Sequence, residues 1–77
     1  MRMFWGKHEI TARMAAIGEL GGDARTLEAV RCGLQGERGV LSGGEIADVL
    51  EAAAMGNGDP RTLAQVARSL GLEWGAR

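Results

Sequence analysis

The chain has 77 residues, 45% of them hydrophobic, and a net charge of −1 from nine basic and ten acidic side chains. This length allows one small domain and excludes Rossmann and TIM-barrel enzymes, and the near-neutral charge gives no broad basic field for nucleic acid. The composition is typical of a folded globular domain, and no apolar run reaches the roughly 18 residues of a membrane-spanning helix.

The first two predicted helices are marked by apolar stripes with a glycine turn between them. The first stripe has the spacing i, i+4, i+7 and consists of Ile10, Met14 and Ile17. Gly21 and Gly22 end this helix because glycine tolerates positive φ angles. Asp23 is a good N-cap for the second helix. Its apolar stripe consists of Leu27, Val30 and Leu34.

A linker over residues 36–42 is expected next, with Val40 and Leu41 directed into the core. Ser42 followed by Glu45 has the spacing of a capping box, which predicts the start of a third helix. The apolar stripe of that helix consists of Ile46, Leu50 and Ala53. Residues 56–58 (GNG) end it. The fourth helix is predicted to begin with Asp59 as its N-cap and Pro60 at its first position. Its apolar stripe consists of Leu63, Val66 and Leu70.

The two helical segments repeat each other at an offset of 36 residues. Residues 22–27 (GDARTL) recur as residues 58–63 (GDPRTL), and the Glu-Ile pair at residues 9–10 recurs at residues 45–46. Periods of this length mark a supersecondary unit that is used more than once. We therefore predict an all-α fold of four short helices, arranged as two tandem αα-hairpins in a compact bundle. We expect residues 1–77 to form one domain. Its first repeat unit spans about 9–35, its linker spans 36–42, and its second repeat unit spans about 43–71.

One stretch of the second unit resembles part of a DNA-binding motif. Residues 62–72 resemble the first helix and the turn of a helix-turn-helix, with Ala67 and Gly71 at the familiar four-residue spacing. Only five residues follow in this sequence, which is too few for a recognition helix. Nucleic-acid binding is therefore the second hypothesis for this chain.

The partner-binding candidates lie at the two ends of the chain and after the helix caps. Phe4, Trp5 and Trp74 lie outside the repeat, so they either close the ends of the bundle or anchor a partner, since tryptophan is enriched in interface hot spots. Arg25 and Arg61 occupy equivalent positions. They either contact a phosphate or carboxylate of a partner, or pair with the capping aspartates two residues before them.

No catalytic, cofactor-binding or metal-binding residues are predicted. His8 is the one histidine, and no nucleophile stands at a spacing that would pair with it. Cys32 is the one cysteine, which excludes an intrachain disulfide. We expect both to be surface residues, with Cys32 an inert thiol. The glycine clusters lack the Lys-Ser/Thr ending of a phosphate-binding loop, and the aspartates lack EF-hand spacing.

These observations predict a small non-enzymatic protein–protein interaction module, acting as an adaptor, an assembly subunit or an inhibitor. Its expected partner is another protein or a second copy of itself, with no membrane and no small-molecule substrate. The richness in Arg, Ala and Gly suggests a bacterial or phage coding sequence, and the lack of a signal peptide suggests the cytoplasm. Because Leu27 and Leu63 are equivalent in the repeat, we expect their truncation to destabilise the fold equally.

Overall fold

A computed structural model describes residues 2–74 and shows four helices and two short strands. The elements in chain order are β1 (Phe4–Gly6), α1 (Lys7–Glu19), α2 (Ala24–Gln35), β2 (Val40–Ser42), α3 (Gly43–Met55) and α4 (Pro60–Ser69). The radius of gyration of 11.0 Å is close to the value of about 11–12 Å expected for a compact domain of this length. The prediction of a compact, mostly helical fold with four helices is confirmed.

The strands were not predicted. β1 and β2 form an antiparallel two-stranded sheet in which Trp5 pairs with Leu41. Each strand has three residues, too few for the alternation of apolar and polar residues that identifies a strand in a sequence. β2 occupies the last three residues of the linker predicted at residues 36–42.

The predicted helix starts are confirmed in atomic detail. Asp23 accepts a hydrogen bond from the backbone N–H of Thr26, and Asp59 accepts one from Thr62. Ser42 and Glu45 form the complete capping box at the start of α3. These short polar side chains satisfy backbone donors that the first turn of a helix leaves free.

The core is one cluster to which all six elements or their flanks contribute. The predicted stripes of α1 and α3 are buried, as are most of the residues predicted for α2 and α4. The strands add Trp5 and Leu41, which are 4% and 0% exposed. Val40 was expected beside Leu41 in the core but is 55% exposed, because neighbouring residues on a strand face opposite sides of the sheet.

A hydrogen-bond network joins the first turns of α2 and α4, about 20 Å along α1 from the sheet. The backbone N–H of Asp23 donates to Thr62 Oγ1 at 2.9 Å, and the N–H of Asp59 donates to Thr26 Oγ1 at 2.7 Å. Each threonine hydroxyl also donates to its own capping aspartate. The two bonds are therefore reciprocal, because Asp23 and Thr26 in one half are matched by Asp59 and Thr62 in the other.

Equivalent positions differ in burial elsewhere. Leu63 is fully buried, whereas Leu27 is only partly buried. The expectation that both leucines contribute equally to stability is therefore wrong, because a side chain that keeps some solvent contact loses less when it is truncated.

None of the helices in the described part of the chain combines the length and the apolar character that spanning a bilayer requires.

Candidate interaction surface

An apolar patch covers the outer face of the two-stranded sheet. Trp5 and Leu41 face the core, so the alternate residues Phe4 and Val40 face solvent, where they are 56% and 55% exposed. Phe4 pairs with Ser42, two residues along β2 from Val40, so the two apolar side chains are diagonal neighbours. Met3, directly before β1, is 70% exposed. We call Phe4 and Val40 the sheet-face patch.

The edges of the sheet are less accessible than its face. Arg2 Nε donates to the carbonyl oxygen of Phe4 at 2.9 Å. The N–H of Ser42 donates to the Glu45 carboxylate at 2.8 Å. Charged side chains that bond to edge groups discourage pairing with another strand. The outer face is therefore the part of the sheet that remains open to a partner.

A charge cluster beside β1 fixes the start of the chain. Nη1 and Nη2 of Arg2 both donate to the Glu9 carboxylate, and Arg13 Nη2 lies 3.6 Å from an oxygen of the same carboxylate. The hydrogen bonds from Arg2 hold the pKa of Glu9 below its ordinary value. Arg2 also lies over the Trp5 ring, with its Cζ atom 5.6 Å from the centroid. The cluster thus connects Arg2, which precedes β1, with two side chains of α1.

The three terminal aromatic residues have different environments. Phe4 is exposed on the sheet, as a partner-binding residue must be. The hypothesis that Trp5 anchors a partner is corrected by the structure. Its side chain lies in the core and cannot reach a partner in this fold. Trp74 is partly buried against the core cluster. Its part in binding stays a prediction.

Arg25 and Arg61 are exposed in the first turns of α2 and α4. The Thr–Asp network brings these two helix ends together, but the capping carboxylates of Asp23 and Asp59 bond to threonines. Within residues 2–74 neither arginine forms an ion pair. The two guanidinium groups therefore remain available to solvent, and their proposed contact with a partner stays a prediction.

A shallow groove between α1 and α2 was missed in the sequence analysis. It has a volume of about 240 Å³ and is lined by Thr11, Met14, Ala15, Ala24, Leu27, Glu28 and Arg31. The equivalents of Leu27 and Arg31 in the other half, Leu63 and Ala67, are buried. The offset alone could not reveal this difference in burial between equivalent positions.

The titratable residues considered for chemistry, His8 and Cys32, are on the surface. His8 is exposed, as predicted. Cys32 is exposed too, and its Sγ atom lies 3.6 Å from a Glu28 carboxylate oxygen. Among residues 2–74, no group of three or more His, Cys, Asp or Glu side chains is close enough to hold a metal ion.

The loop between α2 and α3 shares part of the spacing of a calcium-binding loop. A glycine at position 6 and a glutamate at position 12 are typical of EF-hands, and Gly39 and Glu45 have that separation. Positions 1, 3 and 5 would carry oxygen ligands but are occupied by Leu34, Gly36 and Arg38. This loop therefore lacks the oxygen ligands of such a site.

The helix-turn-helix resemblance is not followed by a second helix in the described residues. α4 covers most of the predicted first helix, and Gly71 has a φ of +75° in the turn. Residues 70–74 contain no helix. The described residues therefore contain no recognition helix at the place where the resemblance requires one.

No family model, curated protein or solved structure matches this chain. The function must therefore be argued from the surfaces of the molecule. The sheet-face patch is the one that gathers large apolar side chains on a sheet anchored in the core. Leu20 and Met55 are also exposed, at 85% and 87%, but lie at the ends of α1 and α3 next to the turns.

Proposed function

We propose that this chain is a small non-enzymatic protein–protein interaction module that docks a partner on the sheet-face patch. The observation that supports this function is the exposure of Phe4 and Val40 side by side on a sheet whose other face is anchored by Trp5 and Leu41. Aromatic residues and methionine are enriched in the centres of interfaces. A rigid apolar face loses little conformational freedom when a partner covers it, which favours binding.

The two halves are proposed to be duplicated units of one strand and two helices, with each helix pair forming an αα-hairpin. Two observations support a two-fold relation between them. Trp5 pairs with the residue 36 positions later, and the two Thr–Asp bonds exchange into each other when each residue is replaced by its equivalent at the 36-residue offset. The repeated unit would then include a strand, which the helix-only unit inferred from the sequence lacked. The rest of the proposal is a cytoplasmic adaptor, assembly subunit or inhibitor from a bacterium or phage. The single exposed thiol of Cys32 is compatible with a reducing compartment.

The experiment compares two double variants in affinity capture from the source cells. Phe4→Ser with Val40→Thr removes the apolar character of the sheet-face patch. Leu20→Ser with Met55→Ser removes two apolar side chains that lie away from the sheet and are more exposed than Phe4 and Val40, and it serves as the control. Far-ultraviolet circular dichroism establishes that both variants are folded.

The proposal requires that proteins captured by the wild type are retained by the control variant and lost by the sheet variant. Fluorescence anisotropy on the captured protein, once purified, should show an affinity loss of at least about tenfold for the sheet variant, since a buried aromatic anchor contributes roughly 1–3 kcal/mol. Equal capture by both variants would show that the partner binds elsewhere.

A second candidate function is contact with duplex DNA through α4. Its exposed residues Arg61, Gln65 and Arg68 have the spacing i, i+4, i+7, and α4 contains no acidic residue. Arginine and glutamine are the residues that read base edges and phosphates. In this arrangement α3, a short turn and α4 would correspond to the helix-turn-helix, and α4 would be the helix that enters a groove of the DNA.

Gel-shift titration at low salt tests this alternative. A DNA-binding α4 predicts a shift at micromolar protein that weakens as salt rises and is lost in Arg61→Ala with Arg68→Ala. No shift at low salt eliminates it.

A further inference from the structure

The two halves of the chain are held together by contacts that run between them, with only a short hinge joining them covalently. The first half is residues 4–35, the second half is residues 40–69, and the hinge is residues 36–39. β1 pairs with β2, α1 packs on α4, and α2 packs on α3. The reciprocal Thr–Asp bonds also cross between the halves, as does the bond from Arg13 Nη1 to the carbonyl oxygen of Ser69 at 2.8 Å.

The hinge is held by hydrogen bonds, and its two glycines do not pack against other residues. A Cβ atom added at Gly36 or Gly39 would meet nothing within 4 Å, so both glycines lie in open space. Lys7 bonds to the hinge at two places: its N–H donates to the Gly39 carbonyl oxygen at 2.8 Å, and its Nζ donates to the Glu37 carbonyl oxygen at 2.9 Å. Lys7 is the first residue of α1, so these two bonds connect the hinge to the first half of the chain.

We propose that two copies of this chain form a dimer by exchanging halves across the hinge. Each half then packs against the complementary half of the other copy. In the exchanged dimer, the first half of one copy packs against the second half of the other, and two identical cores form. All contacts between halves are rebuilt, and only the hinge changes conformation. Such exchange is a low-cost route to a two-fold dimer. Its population rises with protein concentration because it is bimolecular.

The test uses two full-length variants, each damaged in one half. Val30 and Val66 are equivalent and each is 1% exposed, so Val30→Asp and Val66→Asp each place a charge in the core and are expected to unfold the chain. An exchanged dimer of the two contains one core made from both undamaged halves. After joint unfolding in urea and refolding, the mixture should regain about half of the wild-type helical signal, increasingly with concentration.

The control pair places the same charge at exposed equivalent positions. Ala29→Asp and Gln65→Asp should each remain folded alone, and mixing them should change nothing. If the mixture of the two core variants gives only the average of their separate signals at every concentration tested, the halves do not exchange.

A second measurement avoids dependence on damaged cores. Deletion of Glu37 and Arg38 makes the hinge too short to fold back, which should convert the folded protein to a dimer in light scattering. A folded monomer after this deletion would overturn the proposal. The exchange is independent of the proposed docking function, since Phe4→Ser with Val40→Thr should leave complementation intact while abolishing capture of a partner.

Discussion

Replacement of Thr26 by valine tests the network that joins the first turns of α2 and α4. Thr26 is 2% exposed. Its Oγ1 donates to Asp23 Oδ2 at 2.6 Å and accepts the backbone N–H of Asp59 at 2.7 Å. Valine has nearly the same shape and the same helix propensity, so the variant removes both hydrogen bonds with little change in packing.

The expected loss follows from these two bonds. A hydrogen bond to a charged group contributes about 1.5–3 kcal/mol, and leaving a buried donor unpaired costs about 1–3 kcal/mol. The Asp59 N–H is only partly buried, and the new methyl group gains some apolar burial, so the net loss should be about 2–3 kcal/mol. A domain of this size has a total stability of about 4–12 kcal/mol. The melting temperature should therefore fall by about 10–20 °C.

Urea unfolding followed by circular dichroism measures this loss. Thr62→Val should give a similar value, because Thr62 makes the equivalent pair of bonds with Asp59 and Asp23. Thr11→Val is the matched control: the Thr11 hydroxyl is exposed on α1 and bonds only to a carbonyl in its own helix, so its loss should stay within about 0.5 kcal/mol. A loss below about 0.5 kcal/mol for Thr26→Val would refute the reasoning.

Three further predictions concern packing and pH. Leu63→Ala should lower the free energy of unfolding by about 3–5 kcal/mol and Leu27→Ala by about 1–2 kcal/mol, because only Leu63 is fully buried; equal losses in urea titrations would contradict this. Gly33→Ala should destabilise by roughly 1–2 kcal/mol, since its Cβ would lie 2.8 Å from the side chain of a neighbouring valine; Gly36→Ala, in open space, is the control, and a stabilised Gly33 variant would count against the packing. Hydrogen bonds from Ser42 lower the pKa of Glu45, so its contribution to stability is present above its unfolded pKa and is lost as the pH falls through the folded value. Unfolding titrations should thus give constant stability from pH 7 to about 5.5 and a decline below about pH 4.5, with a shallower decline in Glu45→Gln.

The helices and their caps could be predicted from the sequence because both depend on local chemistry. Asp23 and Asp59 stand before apolar stripes with helical spacing, and their roles follow from the free N–H groups of a first turn. The bonds that each threonine hydroxyl accepts from the capping aspartate of the other half could not be predicted in this way. They depend on which helix ends meet in space.

The candidate surface could not be predicted, because the strand that forms it is too short to detect in the sequence. Phe4 was identified as a terminal aromatic, but its exposure follows from a three-residue strand that pairs with a segment 36 positions away. The same strand turns the adjacent Trp5 into the core. Sequence reasoning treated these two aromatic neighbours alike, and only the pleat of the sheet separates them.

The pairing of Trp5 with Leu41 has a consequence for how closely the halves can resemble each other. These two side chains meet each other across the sheet, so each is the neighbour of its own counterpart. Two indoles would crowd such a meeting point, and two leucines would leave it underfilled, whereas one of each supplies an intermediate volume. A mixed pair is therefore favoured at this position of the sheet, whereas the two threonines at the far ends of the helices are the same residue type.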